Sequence, residues 1–169
     1  MAIAEHAVVI SPHYWPRKHA FIERAGKSIP LEGGDEGRRA FYANLEDFVR
    51  ELKRNATVYL VQGAPQSPTA LNPQRMVTRS VTGFRVDPNS QESVPITDLR
   101  APFAQHDADL RTVAERTGAK LLDVFPDVCG NGEMCSPFFG AREPIFSDGV
   151  HLRPVFVREH LHFLDFLLM

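Results

Sequence analysis

Phe41-Tyr42-Ala43-Asn44-Leu45-Glu46-Asp47-Phe48-Val49-Arg50-Glu51-Leu52, followed shortly by Thr57-Val58-Tyr59-Leu60-Val61, decides the fold class. In the first stretch Phe41, Leu45, Phe48, Val49 and Leu52 recur at helical spacing, with Glu46, Arg50 and Lys53 turned outward. The spacing predicts an amphipathic helix ending near Asn55. The second stretch is β-branched and apolar on every side, the pattern of a buried parallel strand, and Gly63-Ala64-Pro65 breaks it. Upstream, His6 to Ser11 is a short, nearly continuous apolar run stopped by Pro12, which predicts a first interior strand. Strand, helix and strand in this order imply a right-handed βαβ crossover.

The same alternation continues downstream. Phe103 to Thr117 regains helical spacing through Leu110, Val113 and Ala114, Gly118 caps it, and Lys120 to Phe125 supplies a third parallel strand. A last helix is expected from about Pro154, a residue suited to a first turn, with Phe156, His160, Phe163, Leu164 and Leu167 on one side. Between these elements, Pro12 to Gly37 and Pro65 to Pro102 lack a clean period and read as long loops. The class is α/β with a parallel sheet flanked by helices.

Composition narrows the partners. With 169 residues, 43% hydrophobic and 24% charged, the working expectation is one globular domain. A net charge of -2 with interspersed signs offers no basic face for nucleic acid and no polybasic block for an anionic membrane. Met1 to Ile10 lacks the form of a signal peptide, and no run approaches the roughly 18 apolar residues that span a bilayer.

Two local features carry candidate chemistry. Cys129-Gly130-Asn131-Gly132-Glu133-Met134-Cys135 is a glycine-containing loop that can fold back to bridge its two sulfurs; a pair of free thiols or a metal site are the alternatives, the latter short of ligands. In Ser147-Asp148-Gly149-Val150-His151-Leu152 the carboxylate and imidazole are three apart on a turn. Such a pair suits a hydrolase in which Asp148 orients the imidazole and His151 takes a hydroxyl proton. An Asp at this position equally suits a turn or helix-capping carboxylate, and both readings stand on spacing alone.

Several separated stretches, taken in order, resemble the SGNH domain found at the C-terminus of membrane-bound acyltransferases of the acyltransferase-3 family. They are Val8-Val9-Ile10-Ser11 with Trp15; the Phe41 to Leu52 helix followed by Val58 to Val61 and Pro65; Leu122-Asp123-Val124; the Cys129/Cys135 pair; and Ile145-Phe146 before Asp148 and His151-Leu152. The resemblance spans nearly all of the chain from Val8. It implies a flavodoxin-like three-layer sandwich and the catalytic roles of Asp148 and His151. It further implies O-acyl transfer to, or ester hydrolysis on, a cell-surface polysaccharide, with a glycan or acyl-ester substrate and no cofactor. A membrane acyltransferase domain would be the partner in the parent protein, at the periplasmic face of the inner membrane.

The departure from the family pattern is its Gly-Asp-Ser block, whose serine is the nucleophile: Gly34-Asp35 is followed by Glu36. The expectation is therefore residues 1–169 as the C-terminal two thirds of the domain, truncated at its N-terminus and marginally stable alone. A catalytically inactive remnant or glycan-binding module is the alternative. Ser11, Ser136 and Ser147 read as loop and turn hydroxyls. Trp15, with His13, Tyr14 and Arg17, is a candidate glycan or acyl contact or a core residue, and Arg153 contacts an anionic substrate or caps a loop. His160 and His162 point apart on a helix and do not form a metal pair.

Overall fold

The computed structural model describes residues 6–12, 19–32, 34–80, 83–86, 93–140 and 143–167. Trp15 and Arg17, with His13 and Tyr14, lie outside them. The chain forms two compact units, one of Met1–Gln62 with Ala104–Leu122 and one of Gly63–Phe103 with Asp123–Met169.

The first unit holds the sheet. β1 (His6–Ile10), β4 (Ala56–Val61) and β8 (Lys120–Leu122) are parallel, in the order β1-β4-β8. α1 (Asp35–Leu52) joins β1 to β4, and α4 (Ala104–Thr117) precedes β8. The register matches Val8 with Val58, and Ile10 with Leu60 and Leu121, so these side chains share one sheet face. Val58 and Leu60 are fully buried in one cluster with Val49 of α1 and Leu110 and Val113 of α4, so both helices cover that face.

β1 differs from the interior strand expected of its apolar run. It is a sheet edge among the described residues, and Val9 is 37% exposed. Apolar composition reports that a strand suits burial; it does not say how many neighbours the strand has.

α1 starts at Asp35, six residues before the first member of its apolar stripe. Asp35 and Glu36 in its first turn complement the positive end of the helix dipole. Its contacts with α4 are polar at one end, where Arg38 pairs with Asp109 and the Tyr42 hydroxyl meets His106 Nδ1, and apolar further along. Phe48, counted in the helical stripe, is 54% exposed at its margin.

The segment read as a loop before α1 is partly a hairpin. β2 (Phe21–Arg24) and β3 (Lys27–Pro30) are antiparallel, and the two residues between them, Ala25 and Gly26, both have positive φ. That is the mirror-image turn that two-residue hairpins favour. Arg24 clips the hairpin to α1 through Asn44 Oδ1 at 2.6 Å and Asp47 Oδ2 at 2.8 Å. Ala-Gly is a weak turn signature, which explains why the sequence pattern hid it.

The second unit is built from short pieces. α2 (Pro73–Met76) leads into the antiparallel pair β5 (Val77–Ser80) and β6 (Gly83–Val86); β7 (Val94–Pro95) pairs with β9 (Met134–Cys135). α3 (Ile96–Arg100) follows β7, and α5 (Phe125–Cys129) leads to the cysteine loop. β10 (Phe138–Phe139) pairs with β11 (Glu143–Pro144), and α6 (Pro154–His160) comes last. Among its described residues, the region expected to be loop from Pro65 to Pro102 therefore carries α2, α3, the start of a 3-10 turn (Ala101–Phe103) and three short strands.

The third parallel strand stops at Leu122 rather than Phe125, where Asp123 Oδ1 accepts the Phe125 N–H at 3.0 Å in a turn that leads into α5. α6 is shorter than its apolar periodicity suggested: Leu161 is extended, and Leu167 lies in a separate 3-10 turn. His162 explains the break, since its N–H donates to Asp127 Oδ2 at 2.6 Å instead of continuing the helix. His160 lies against Phe139 and Phe156, at centroid distances of 4.8 and 5.4 Å.

Candidate active site

Asp148 and His151 sit on a turn whose two ends are held by its own backbone. Phe146 and Leu152 form an antiparallel bridge, the Ser147 N–H donates to the His151 carbonyl at 2.8 Å, and Arg153 N–H donates to the Ile145 carbonyl at 2.9 Å. Ile145 and Phe146 are buried at 3% and 0% exposure, so an apolar anchor lies immediately before the polar pair.

Gly149 fixes the turn from a second side. Its φ is +82°, a left-handed conformation that disfavours a side chain. A Cβ here would stand 2.4 Å from the Ser67 carbonyl oxygen and 3.0 Å from the Asn72 nitrogen. The Gly149 carbonyl accepts the Ser67 N–H at 2.8 Å, while Ser67 Oγ accepts the Ala70 N–H, so the docking loop is itself ordered. Nothing in the residue pattern of the loop from Ser67 to Asn72 marks it as part of the site. The lone glycine between Asp148 and His151 was its signal, since a glycine there marks a close backbone approach.

Asp148 serves both purposes that its spacing left open. Oδ1 accepts the backbone N–H of Val150 at 3.0 Å and of His151 at 2.8 Å, which closes the turn. Oδ2 stands 2.8 Å from His151 Nδ1. The capping acts on this turn and not on α6, which starts at Pro154. The His151 backbone N–H, followed by its imidazole and the Val150 N–H, lowers the Asp148 pKa from 3.8 to about 2. An ionised Asp148 accepts, so Nδ1 carries the proton toward it and the Nε2 lone pair points away. The His151 side chain is 78% exposed, and Nε2 has no partner among the described residues. Chemically this is a carboxylate-oriented imidazole with an accessible basic nitrogen.

The other sequence candidates fall elsewhere. Cys129 and Cys135 are joined by a disulfide, with Cα atoms 4.5 Å apart. Arg153 approaches the Pro144 carbonyl at 3.4 Å and Glu143 at 3.7 Å, contacts that tie it to β11. Ser136 Oγ donates to the Phe138 carbonyl and accepts the Phe138 N–H, a local turn hydroxyl. Ser11 and Ser147 are exposed. His162 pairs with Asp165 at 2.8 Å, a second exposed imidazole–carboxylate contact on the C-terminal segment.

A parallel sheet covered on one face by helices defines an α/β domain. The chain belongs to the family described as the SGNH domain fused to AT3 domains, whose model matches residues 3–160. Nothing among curated proteins or solved structures matches it. Among the described residues no helix is long and apolar enough to cross a membrane.

Proposed function

We propose that Asp148 and His151 are the orienter and general base of O-acyl transfer to, or ester hydrolysis on, a cell-surface polysaccharide. The observation that carries this reading is the 2.8 Å contact between Asp148 Oδ2 and His151 Nδ1, which leaves Nε2 unpartnered among the described residues. In the proposed cycle Nε2 takes the proton of a serine hydroxyl, and the serine oxygen attacks the acyl carbonyl carbon. The imidazolium then returns that proton to the departing oxygen, leaving an acyl-serine. A sugar hydroxyl or water, deprotonated at Nε2 in turn, releases the acyl group. Ionised Asp148 offsets the positive charge on the imidazolium at both steps.

The sequence contains no Gly-Asp-Ser, and the proposed cycle draws its serine from such a block in the parent protein. The family's fusion to AT3 domains supports a membrane acyltransferase domain as the acyl source in the parent protein. The disulfide supports an oxidising compartment, and hence the periplasmic face of the inner membrane. Lack of a Gly-Asp-Ser serine equally favours a second reading for these residues taken alone, that of an inactive remnant or glycan-binding module.

The test is to express the chain behind a family-type strand ending in Gly-Asp-Ser and measure hydrolysis of p-nitrophenyl acetate. Activity that rises on adding the segment, and falls by about 10³-fold or more with His151→Ala, is expected. Equal activity in the His151→Ala variant, or none with the segment present, would overturn the reading in favour of binding without turnover.

A further inference from the structure

A cleft of about 550 Å³ in the second unit is lined by Pro95, Ile96, Thr97, Arg100 and the Gly132–Met134 limb of the cysteine loop. Both walls are held. The Ile96 N–H donates to the Glu133 carbonyl at 2.9 Å, Pro95 pairs with Met134 in the β7–β9 ladder, and the Cys129–Cys135 disulfide closes the loop behind them.

Arg100 is fixed in place before any ligand arrives. Its guanidinium lies 4.0 Å from the centroid of the Phe125 ring, and Nη2 donates to Asp123 Oδ2 at 2.6 Å. Asp123 is in turn fixed by the Phe125 N–H on its other oxygen. The Nε and Nη1 donors of Arg100 have no acceptor among the described residues. The carboxylate of Glu133 likewise has no hydrogen-bond or ion-pair partner there. Pro95, Ile96 and Met134 add apolar surface, Met134 being 47% exposed.

The charge balance selects among ligands. The guanidinium of Arg100 is already paired with Asp123, and Glu133 adds a second carboxylate to the cleft lining, so the charge balance disfavours an anion. Spare donors, a spare acceptor and an apolar wall together match a molecule with hydroxyls at its rim and C–H groups on its face. We propose that this cleft is a subsite for a neutral sugar residue, with Arg100 donating to one hydroxyl, Glu133 accepting from another, and the ring face lying on Ile96 and Met134. The proposal deepens the polysaccharide reading above and rests on it only for the polymer to which the sugar belongs.

The experiment is a titration of the ¹⁵N-labelled protein, disulfide intact, with glucose, galactose, N-acetylglucosamine and glucuronate, followed by NMR. At least one neutral sugar is expected to move the Thr97, Gly132, Glu133 and Met134 amides saturably, and glucuronate to bind more weakly. Arg100→Gln should weaken the neutral sugar by about tenfold. Because losing Arg100 can loosen Asp123, Glu133→Gln is the second variant: exposed, it leaves the fold intact and should improve glucuronate relative to the neutral sugar. His151→Ala should change none of this, which separates failure of the subsite from failure of the catalytic reading. Amides unmoved by every neutral sugar, shifts that survive Arg100→Gln, or tighter binding of glucuronate than of any neutral sugar would overturn the proposal.

Discussion

The sheet unit and the loop-rich unit are ordered by different physics. In the first, Val49, Val58, Leu60 and Leu110 are all buried at 0% exposure in one cluster, and each lies on a regular element whose period put it there. In the second, position is set by single contacts: a disulfide, Asp123 on the Phe125 N–H, Gly149 against Ser67, and Asp148 on two backbone N–H groups. A periodic core spreads its stability over many dispersion contacts. A structure made of caps and turns concentrates it in a few residues, and those residues are where chemistry can be held to tight geometry.

The largest expected effect is in the sheet unit. Leu60→Ala removes a fully buried side chain from the centre of β4 and should destabilise the protein by about 3 kcal/mol, read by urea denaturation. Hydrogen exchange should quicken most in β4 and α4. A cost under about 1 kcal/mol would mean that the cluster repacks, and that the sheet unit is less rigid than its burial suggests.

Next comes Gly149→Ala, which costs roughly 2 kcal/mol through its positive φ and the 2.4 Å approach to the Ser67 carbonyl. Unlike the core substitution, its damage should be local. The Ser67 amide should lose exchange protection, and the Asp148–His151 contact should open while protection in β4 persists. Loss of β4 protection alongside it would break the distinction between a cooperative core and a locally clasped turn.

These two positions also show why the sequence was legible in one place and opaque in another. Phe41 to Leu52 and Thr57 to Val61 carry their structure in hydrophobic period, so α1, β4 and the parallel pairing were readable, as was α4 from Leu110, Val113 and Ala114. What period does not encode is strand order or where a neighbour stops the chain. Val9 therefore looked interior and is half open, and α6 ends where Asp127 captures the His162 N–H. The β2–β3 hairpin turns on Ala25-Gly26, a pair with little turn signature, and its anchor is the contact of Arg24 with Asn44 and Asp47, some 20 residues away in sequence. At the candidate site the Asp148–His151 spacing was visible, whereas Ser67 and Asn72, which hold Gly149, are distant in sequence and meet it only after folding. The Arg100–Asp123 pair is hidden for the same reason: Asp123 stands in a stretch that carries the family resemblance, but its pairing with Arg100 depends on tertiary approach.

The smallest effect separates the turn's own backbone from its imidazole. Asp148 is held near a pKa of about 2 first by the His151 backbone N–H, and only then by the His151 side chain and the Val150 N–H. Because the folded value lies below the ordinary 3.8, ionised Asp148 favours the folded turn fully above that ordinary value, and the contribution is lost as pH falls from about 3.8 toward about 2. Carboxyl ¹³C NMR should therefore show Asp148 titrating near 2 in the native protein. In His151→Ala the backbone donors at positions 150 and 151 remain, so the midpoint should climb only part of the way back to 3.8. A full return would mean that the imidazole, not the chain's own N–H groups, holds the carboxylate, and that this turn depends on its histidine for structure as well as for chemistry. A partial return would leave His151 free to exchange protons at Nε2 without loosening the loop that carries it, as a general base on a turn must.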